Sequence, residues 1–232
     1  AKYVCSIYPV KLYYFGSDAY SKIRLMQPYY PVQRGIISDW ENMDIYLQFL
    51  FEQLRINANE HPVLFTETSF NPKANREQLI ELMFEKYNVP SFFIENQAVL
   101  SLLSSGRKTG IVVETGDEIT NIVPIYEGYS IPEGMTRFNF AGQDMTEALK
   151  LLLQQKGIAA SSYKELLPIK EIKEKYCYVP LDFEAEKQKD VKKQTVNCHN
   201  QSIEIDEEQF TCGEILFQPY IGNLEYDGID EY

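Results

Sequence analysis

The run Gly110-Ile-Val-Val-Glu-Thr-Gly-Asp117 constrains this chain more than any other stretch. Ile111 to Val113 read as an apolar strand that ends in an acid, a hydroxyl, a glycine and a second acid. Glu118-Ile-Thr120 and Val123-Pro-Ile-Tyr-Glu-Gly128 then carry the chain straight back. Two apolar runs separated by a short polar turn pair as an antiparallel hairpin. A glycine in the turn lets the backbone approach an anionic ligand, and successive N–H groups in a tight turn make a concavity for phosphate oxygens. The neighbouring acids suit a hydrated divalent cation. An ordinary hairpin with a polar tip is the plainer reading of the same residues.

The patterning on either side of the hairpin is that of a mixed fold. Arg34-Gly-Ile-Ile-Ser-Asp39 leads into a helix with Ser38 or Asp39 as N-cap and Trp40, Met43, Leu47, Leu50 and Phe51 on its apolar side. His61 to Thr66 is predicted to be a buried strand. Asn71-Pro72 is predicted to start the next helix, Asn71 as cap, with Leu79, Leu82, Met83 and Tyr87 as its inner stripe. Phe92 to Ile94 is a short strand, and Gln97 to Ser104 a helix closed by Gly106. Residues 110–140 read as a three-stranded meander with turns at 115–118 and 127–130. Gly142-Gln-Asp144 opens an amphipathic helix that ends near Gly157, and a further helical run covers Glu165 to Cys177. Gln201 to Phe210 alternates like hairpin material.

Composition narrows the function classes. The net charge is −12, so a generic DNA- or RNA-binding surface is not expected. The basic cluster Lys187 to Lys193 reads as a solvated loop. No segment reaches membrane-spanning length. The four cysteines and two histidines lack zinc-ligand spacing, which favours a reduced intracellular setting.

Many separate motifs then follow one another in order: His61-Pro-Val-Leu-Phe-Thr-Glu67, Asn71-Pro-Lys-Ala-Asn-Arg76, Gln97-Ala-Val-Leu-Ser-Leu102, Ser105-Gly-Arg107, Pro124-Ile-Tyr-Glu-Gly128, Ile172-Lys-Glu-Lys175, Cys177-Tyr-Val179, Leu181-Asp-Phe-Glu184 and Leu216-Phe-Gln-Pro219. In order and spacing they resemble actin and the actin-related proteins from about Arg34 to about Ile229, more weakly before Gly35 and between Glu184 and Gln209. The resemblance implies an α/β fold of the actin-like ATPase (ribonuclease-H-like) kind, incomplete in this chain, with a small additional outer lobe. It implies a remnant of the small outer subdomain with a shortened loop over 1–28, and a first core subdomain over 29–104. A second core subdomain with the phosphate hairpin follows over 105–140, then an outer lobe over 141–224 and a return to the second core over 225–232.

The site residues follow from the same resemblance. In that family ATP or ADP with Mg lies in a cleft between two halves, gripped by two phosphate hairpins with an adenosine pocket behind. The second hairpin corresponds to Glu114, Thr115, Gly116, Asp117 and Glu118, where actins carry Asp, Ser, Gly, Asp and Gly. Glu114 keeps the charge on a longer side chain and is the expected metal contact through a water. Glu118 places a like charge where phosphate is expected, and a side chain there resists a positive φ. Gln97 matches the glutamine that positions the attacking water, while Asn121 replaces the partner histidine and cannot relay a proton as imidazole does. Lys173 and Glu174 match the pair flanking ribose and base. Gly142 and Asp144 match the cleft-side turn, with helix capping as the plainer reading.

The first, glycine-rich phosphate hairpin of the actins and their second adenosine-contacting loop have no counterpart here. The chain is therefore expected to supply half a nucleotide site, as part of a longer polypeptide or folded against a partner. The interval between Ser6 and Gly16 is shorter than in actins, and Asn223 stands where they keep a glycine in their apolar plug. The functional expectation is a divergent actin or actin-related protein, a structural subunit of a larger cytoskeletal, axonemal or chromatin-type assembly. Its ATP binding is weakened or structural, its hydrolysis impaired and its self-polymerisation poor. The expected partners are other protein subunits, with no direct nucleic acid and no membrane. The cytoplasm is the expected setting, with cytoskeleton, cilium or nucleus as variants. The alternative is a conventional ATP-hydrolysing, filament-forming actin seen in part.

Overall fold

The computed structural model describes residues 4–6, 13–16, 18–19, 27–157, 163–189, 193–198 and 201–231. They fall into two compact units, Ala1–Asn139 and Phe140–Tyr232.

In the first unit β1 (Val4–Ser6) pairs antiparallel with β2 (Gln27–Tyr29). A tight hairpin follows, β3 (Val32–Gln33) against β4 (Ile36–Ile37), turning on Arg34 and Gly35 with φ of 47° and 74°. Gly35 adopts that region freely, whereas for Arg34 it costs about 1–2 kcal/mol. Helix α1 (Trp40–Leu54) is capped by Asp39, whose Oδ1 accepts from Asn42 N at 3.0 Å, and it buries Met43 and Leu47. Those two pack with Leu79, Met83 and Val89 into one core.

Strands β5 (Val63–Glu67) and β6 (Phe92–Asn96) run parallel, joined through α2 (Lys73–Glu81). The strand predicted at His61–Thr66 thus lies slightly later, and it is not buried on both faces. Leu64 and Phe93 stand opposite one another and are 56% and 61% exposed, because the helices cover a single face of this pair. Asn71 does not cap α2. Its Nδ2 donates to Glu67 Oε2 at 2.9 Å, and Pro72 holds the cap position without a side-chain bond. Beyond Glu81 the helix widens into one π turn, Leu82–Lys86.

Helix α3 (Gln97–Ser104) begins directly after β6, with Asn96 Oδ1 accepting from Ala98 N at 2.9 Å, and ends at Gly106 (φ 77°). Next come β7 (Gly110–Thr115), β8 (Thr120–Tyr126), β9 (Tyr129–Ser130) and β10 (Thr136–Phe138). The antiparallel order is β10-β8-β7, with β9 also on β8. The third strand of the expected meander is thus two short ones, split by the 3-10 turn Pro132–Gly134, where proline donates no ladder bond. Ala98, Val99 and Leu102 of α3 pack on Val123 and Ile125 of β8.

The second unit holds α4 (Gly142–Gln155), α5 (Tyr163–Tyr176), α6 (Phe183–Lys187), β11 (Gln194–Cys198), β12 (Gln201–Ile205) and α7 (Glu208–Glu214). Leu149, Leu153, Ile169, Ile172, Val196, Ile205 and Cys212 form its core. Each aliphatic side chain buried there contributes about 1.5–3 kcal/mol. The predicted hairpin over Gln201–Phe210 stops at Ile205. Asp206 N donates to Glu208 Oε2 at 3.0 Å and Gln209 Nε2 to Ile205 O at 3.1 Å, so the chain turns into α7 and Phe210 is helical. Lys187 and Lys189 of the basic run make exposed ion pairs with Glu184 and Glu186, while residues 190–192 lie outside those described. Asn223 closes the 3-10 turn Pro219–Gly222 at φ 58°, a left-handed position asparagine tolerates better than most side chains. The shortened interval between Ser6 and Gly16 falls mostly outside the described residues. Among those described, no helix is long and apolar enough to cross a membrane.

Candidate functional site

Strand register builds the site in the first unit. The β7–β8 ladder sets Glu114 opposite Asn121 and Val112 opposite Val123, and this is the face that α3 covers. Gln97 is the first residue of α3 and Ser101 lies one turn further, so both fall on the helix side turned to Glu114 and Asn121. Gln97, Ser101, Glu114, Thr115, Gly116 and Asn121 line an open cavity of about 530 Å³. Gln97 also borders a second cavity of about 180 Å³, next to Met43, Phe65 and Leu79.

Hydrogen bonding around the larger cavity is incomplete. Ser101 Oγ donates to Glu114 Oε1 at 2.5 Å, and Asn121 Nδ2 donates to Thr68 Oγ1 at 3.3 Å. Glu114 Oε2 and Asn121 Oδ1 are buried with no partner, and Asn121 is only 2% exposed. Leaving one such group unpaired costs about 1–3 kcal/mol. The carboxamide of Gln97 makes no hydrogen bond among the described residues. Three polar groups therefore lack partners at one cavity, two of them buried acceptors. The two open oxygens, one of them from a carboxylate, can accept from the waters around a divalent cation such as Mg, while among the described residues no three acidic, histidine or cysteine side chains gather to bind one directly.

The turn itself departs from expectation in two ways. Gly116 N donates to Ile119 O at 2.9 Å, so this amide closes the turn instead of facing outward. Glu118 does not occupy the positive-φ region, and the backbone strain expected there is absent. Nor is its carboxylate left to confront a phosphate. Glu118 Oε2 accepts from Arg34 N at 2.6 Å, and Glu118 O accepts from Arg34 Nη1 at 2.5 Å. Arg137 adds a second guanidinium, donating to Ser69 O at 3.0 Å and to Arg34 O. Burial holds the Arg137 pKa below its ordinary value. Asp117 does not line the cavity.

The remaining candidates lie in the second unit. Asp144 Oδ2 accepts from Ala141 N at 3.0 Å and so caps α4. Gly142 O accepts from Thr146 Oγ1 at 2.9 Å and also from Lys173 Nζ, which brings Gly142 and Lys173 together. Glu174, one position on along α5, is exposed. Cys177 and Cys212 are free thiols close to this lysine. The hydrogen bond with Cys212, then burial, push the Cys177 thiol up, while the same bond and the Lys173 charge hold Cys212 below its ordinary value.

Four residues of the first site escape a reading by motif: Thr68, Ser101, Arg34 and Arg137. Ser101 carries a usable signal, since it stands four positions after Gln97 on a helix that must face the hairpin. The other three are distant in sequence, and nothing local announces them. A family model described as Actin matches residues 3–228 of the 232. The mixed α/β architecture agrees with it, and the chain belongs to the actin family.

Proposed function

We propose that this chain forms the phosphate-facing side of a nucleotide site in a divergent actin-family subunit, one that holds ATP or ADP with Mg for structure more than for turnover. The observation that carries the reading is the pair of buried, unpaired oxygens, Glu114 Oε2 and Asn121 Oδ1, side by side at one cavity. Native proteins seldom tolerate such groups unless a ligand, ion or water completes them. On this reading Glu114 meets the cation through a water, and Thr115 and Gly116 border the phosphate oxygens. The bound cation would neutralise phosphate charge. Gln97 and Asn121 orient a water by accepting and donating hydrogen bonds. Asn121 has no titratable nitrogen to take up that water's proton, so hydrolysis is slow.

In the second unit Lys173 and Glu174 are assigned to the ribose and base end, with Gly142 and Asp144 forming the adjacent turn. Lys173 is held in place by its bond to Gly142 O, which supports a positioned role over a freely moving one. The partners proposed are other protein subunits of a cytoplasmic, cytoskeletal assembly, and the acidic surface suits basic partner faces. Calorimetric titration of the full-length protein with Mg-ATP, followed by pelleting, tests both halves. Binding heat without sedimenting filaments is expected. Absence of heat at high protein concentration removes the nucleotide, and abundant filaments remove the non-polymerising assignment.

A further inference from the structure

We propose that Arg34 and Glu118 form a reciprocal clasp that fixes the tip of the β7–β8 hairpin, and that this clasp sets how tightly the adjoining cavity holds the phosphate end of a nucleotide. The second half rests on the nucleotide reading above; the first does not.

Each side chain grips the other's backbone. The Glu118 carboxylate takes the Arg34 amide at 2.6 Å, and the Arg34 guanidinium takes the Glu118 carbonyl at 2.5 Å, across 84 positions of sequence. Both bonds carry charge on one partner and both are half-buried, which separates them from a solvated surface pair. The same guanidinium nitrogen reaches Asn139 O at 3.1 Å. Packing presses the two turns together as well. A Cβ on Gly35 would lie 3.0 Å from Ile119 Cδ1 and 3.0 Å from Thr68 Cγ2. Thr68 accepts from Asn121, so the Arg34–Gly35 turn touches the hairpin on one side and the support of the buried asparagine on the other. Arg137 ties this turn to Ser69, the next residue along from Thr68.

Two consequences follow for a ligand. Glu114, Asp117 and Glu118 put three carboxylates into five residues of hairpin; the last is engaged by the Arg34 amide, and the Arg34 guanidinium brings a positive charge to the carbonyl of the same residue. An anionic group then meets less repulsion than the sequence alone implies. Fixing the hairpin before binding also removes an ordering cost from the binding step. The two bonds close one ring between the two turns and each holds the other in register, so loss of either loosens both and their removals do not add.

The test uses the full-length protein and the variants Arg34→Ala, Glu118→Ala and the double substitution. Amide hydrogen exchange at residues 115–119 is read without nucleotide, and release of a fluorescent ATP analogue is read by displacement. Each single variant is expected to speed exchange about tenfold, the weight of one charge-assisted hydrogen bond, with the double variant no faster and α4 unchanged. Analogue release is expected to accelerate about fivefold or more in all three. Unchanged exchange, or effects that simply add, overturns the clasp. Faster exchange with unaltered release overturns its role in binding. If the unsubstituted protein holds no analogue, the nucleotide reading and that role fall together, and the exchange data alone decide whether the clasp stands.

Discussion

The two units treat their polar groups in opposite ways. At the cavity of the first unit, Glu114 and Asn121 each keep a buried oxygen without a donor. In the second unit Lys156 gathers the acceptors around it, reaching Asp206 Oδ1 at 2.6 Å and Glu208 Oε1 at 2.8 Å, and Lys173 satisfies Gly142 O. Among the described residues of the second unit no buried side-chain oxygen or nitrogen is orphaned. The open acceptors of the first unit that gather at one cavity are those the nucleotide reading uses. Polar satisfaction therefore separates scaffold from site more clearly than any single motif.

That contrast can be attacked at several points. The largest effect is expected from Gly213→Ala, whose Cβ would lie 2.3 Å from Tyr178 O. Backbone cannot yield cheaply there, so denaturant unfolding should show a loss of about 3 kcal/mol or more. Next is Glu114→Leu. Removing a carboxylate that has one oxygen buried without a partner should leave the unfolding midpoint unchanged or higher, while Mg-ATP affinity falls about 30-fold, roughly 2 kcal/mol. A clear loss of stability in that variant would make Glu114 scaffold and erase the distinction. Lys156→Met should do the reverse, lowering stability by about 1–2 kcal/mol, moderated by its partial exposure, with nucleotide affinity kept.

The smallest effect is a pH dependence. The Lys156 hydrogen bond is the main cause that holds the Asp206 carboxyl down at about 2. In the unfolded chain it titrates near about 3.9. The stability it contributes is complete above about pH 4 and is lost as pH falls towards 2. Acid unfolding curves of the protein and of Lys156→Met should therefore converge across that window.

Much of this was readable from sequence, and the reasons differ by element. Helices α1, α3 and α4 declared themselves because caps and apolar stripes are local, and Asp39, Asn96 and Gly106 perform as their types suggest. The β7–β8 hairpin was readable because its turn and alternation lie within twenty residues. The start of α2 was misread, since Asn71 has a competing acceptor in Glu67 that no local rule reveals. Phe210 was misplaced for a similar reason: its alternating neighbours hid a capping cluster built by Asp206 and Glu208. At the site, Gln97, Glu114 and Asn121 were nameable one by one. Their shared lack of partners is a property of three-dimensional packing and could be seen only there. Glu118 is the sharpest case, because the carboxylate that the resemblance sets against phosphate is taken up by a backbone amide, that of Arg34, 84 positions away.

The π turn at Leu82–Lys86 carries a consequence for how this chain can vary. An α-helix advances about 100° per residue, so a surplus residue re-aims everything after it. Here that re-aiming lets Tyr87 bond its amide to Leu82 O at 3.2 Å and its hydroxyl to Asp44 Oδ1 at 2.8 Å. Removing a single residue from this stretch would restore regular winding and swing the tyrosine off its acid, unlatching α1. The widened turn is thus a length gauge, and an indel of one residue there is a heavier blow than most substitutions.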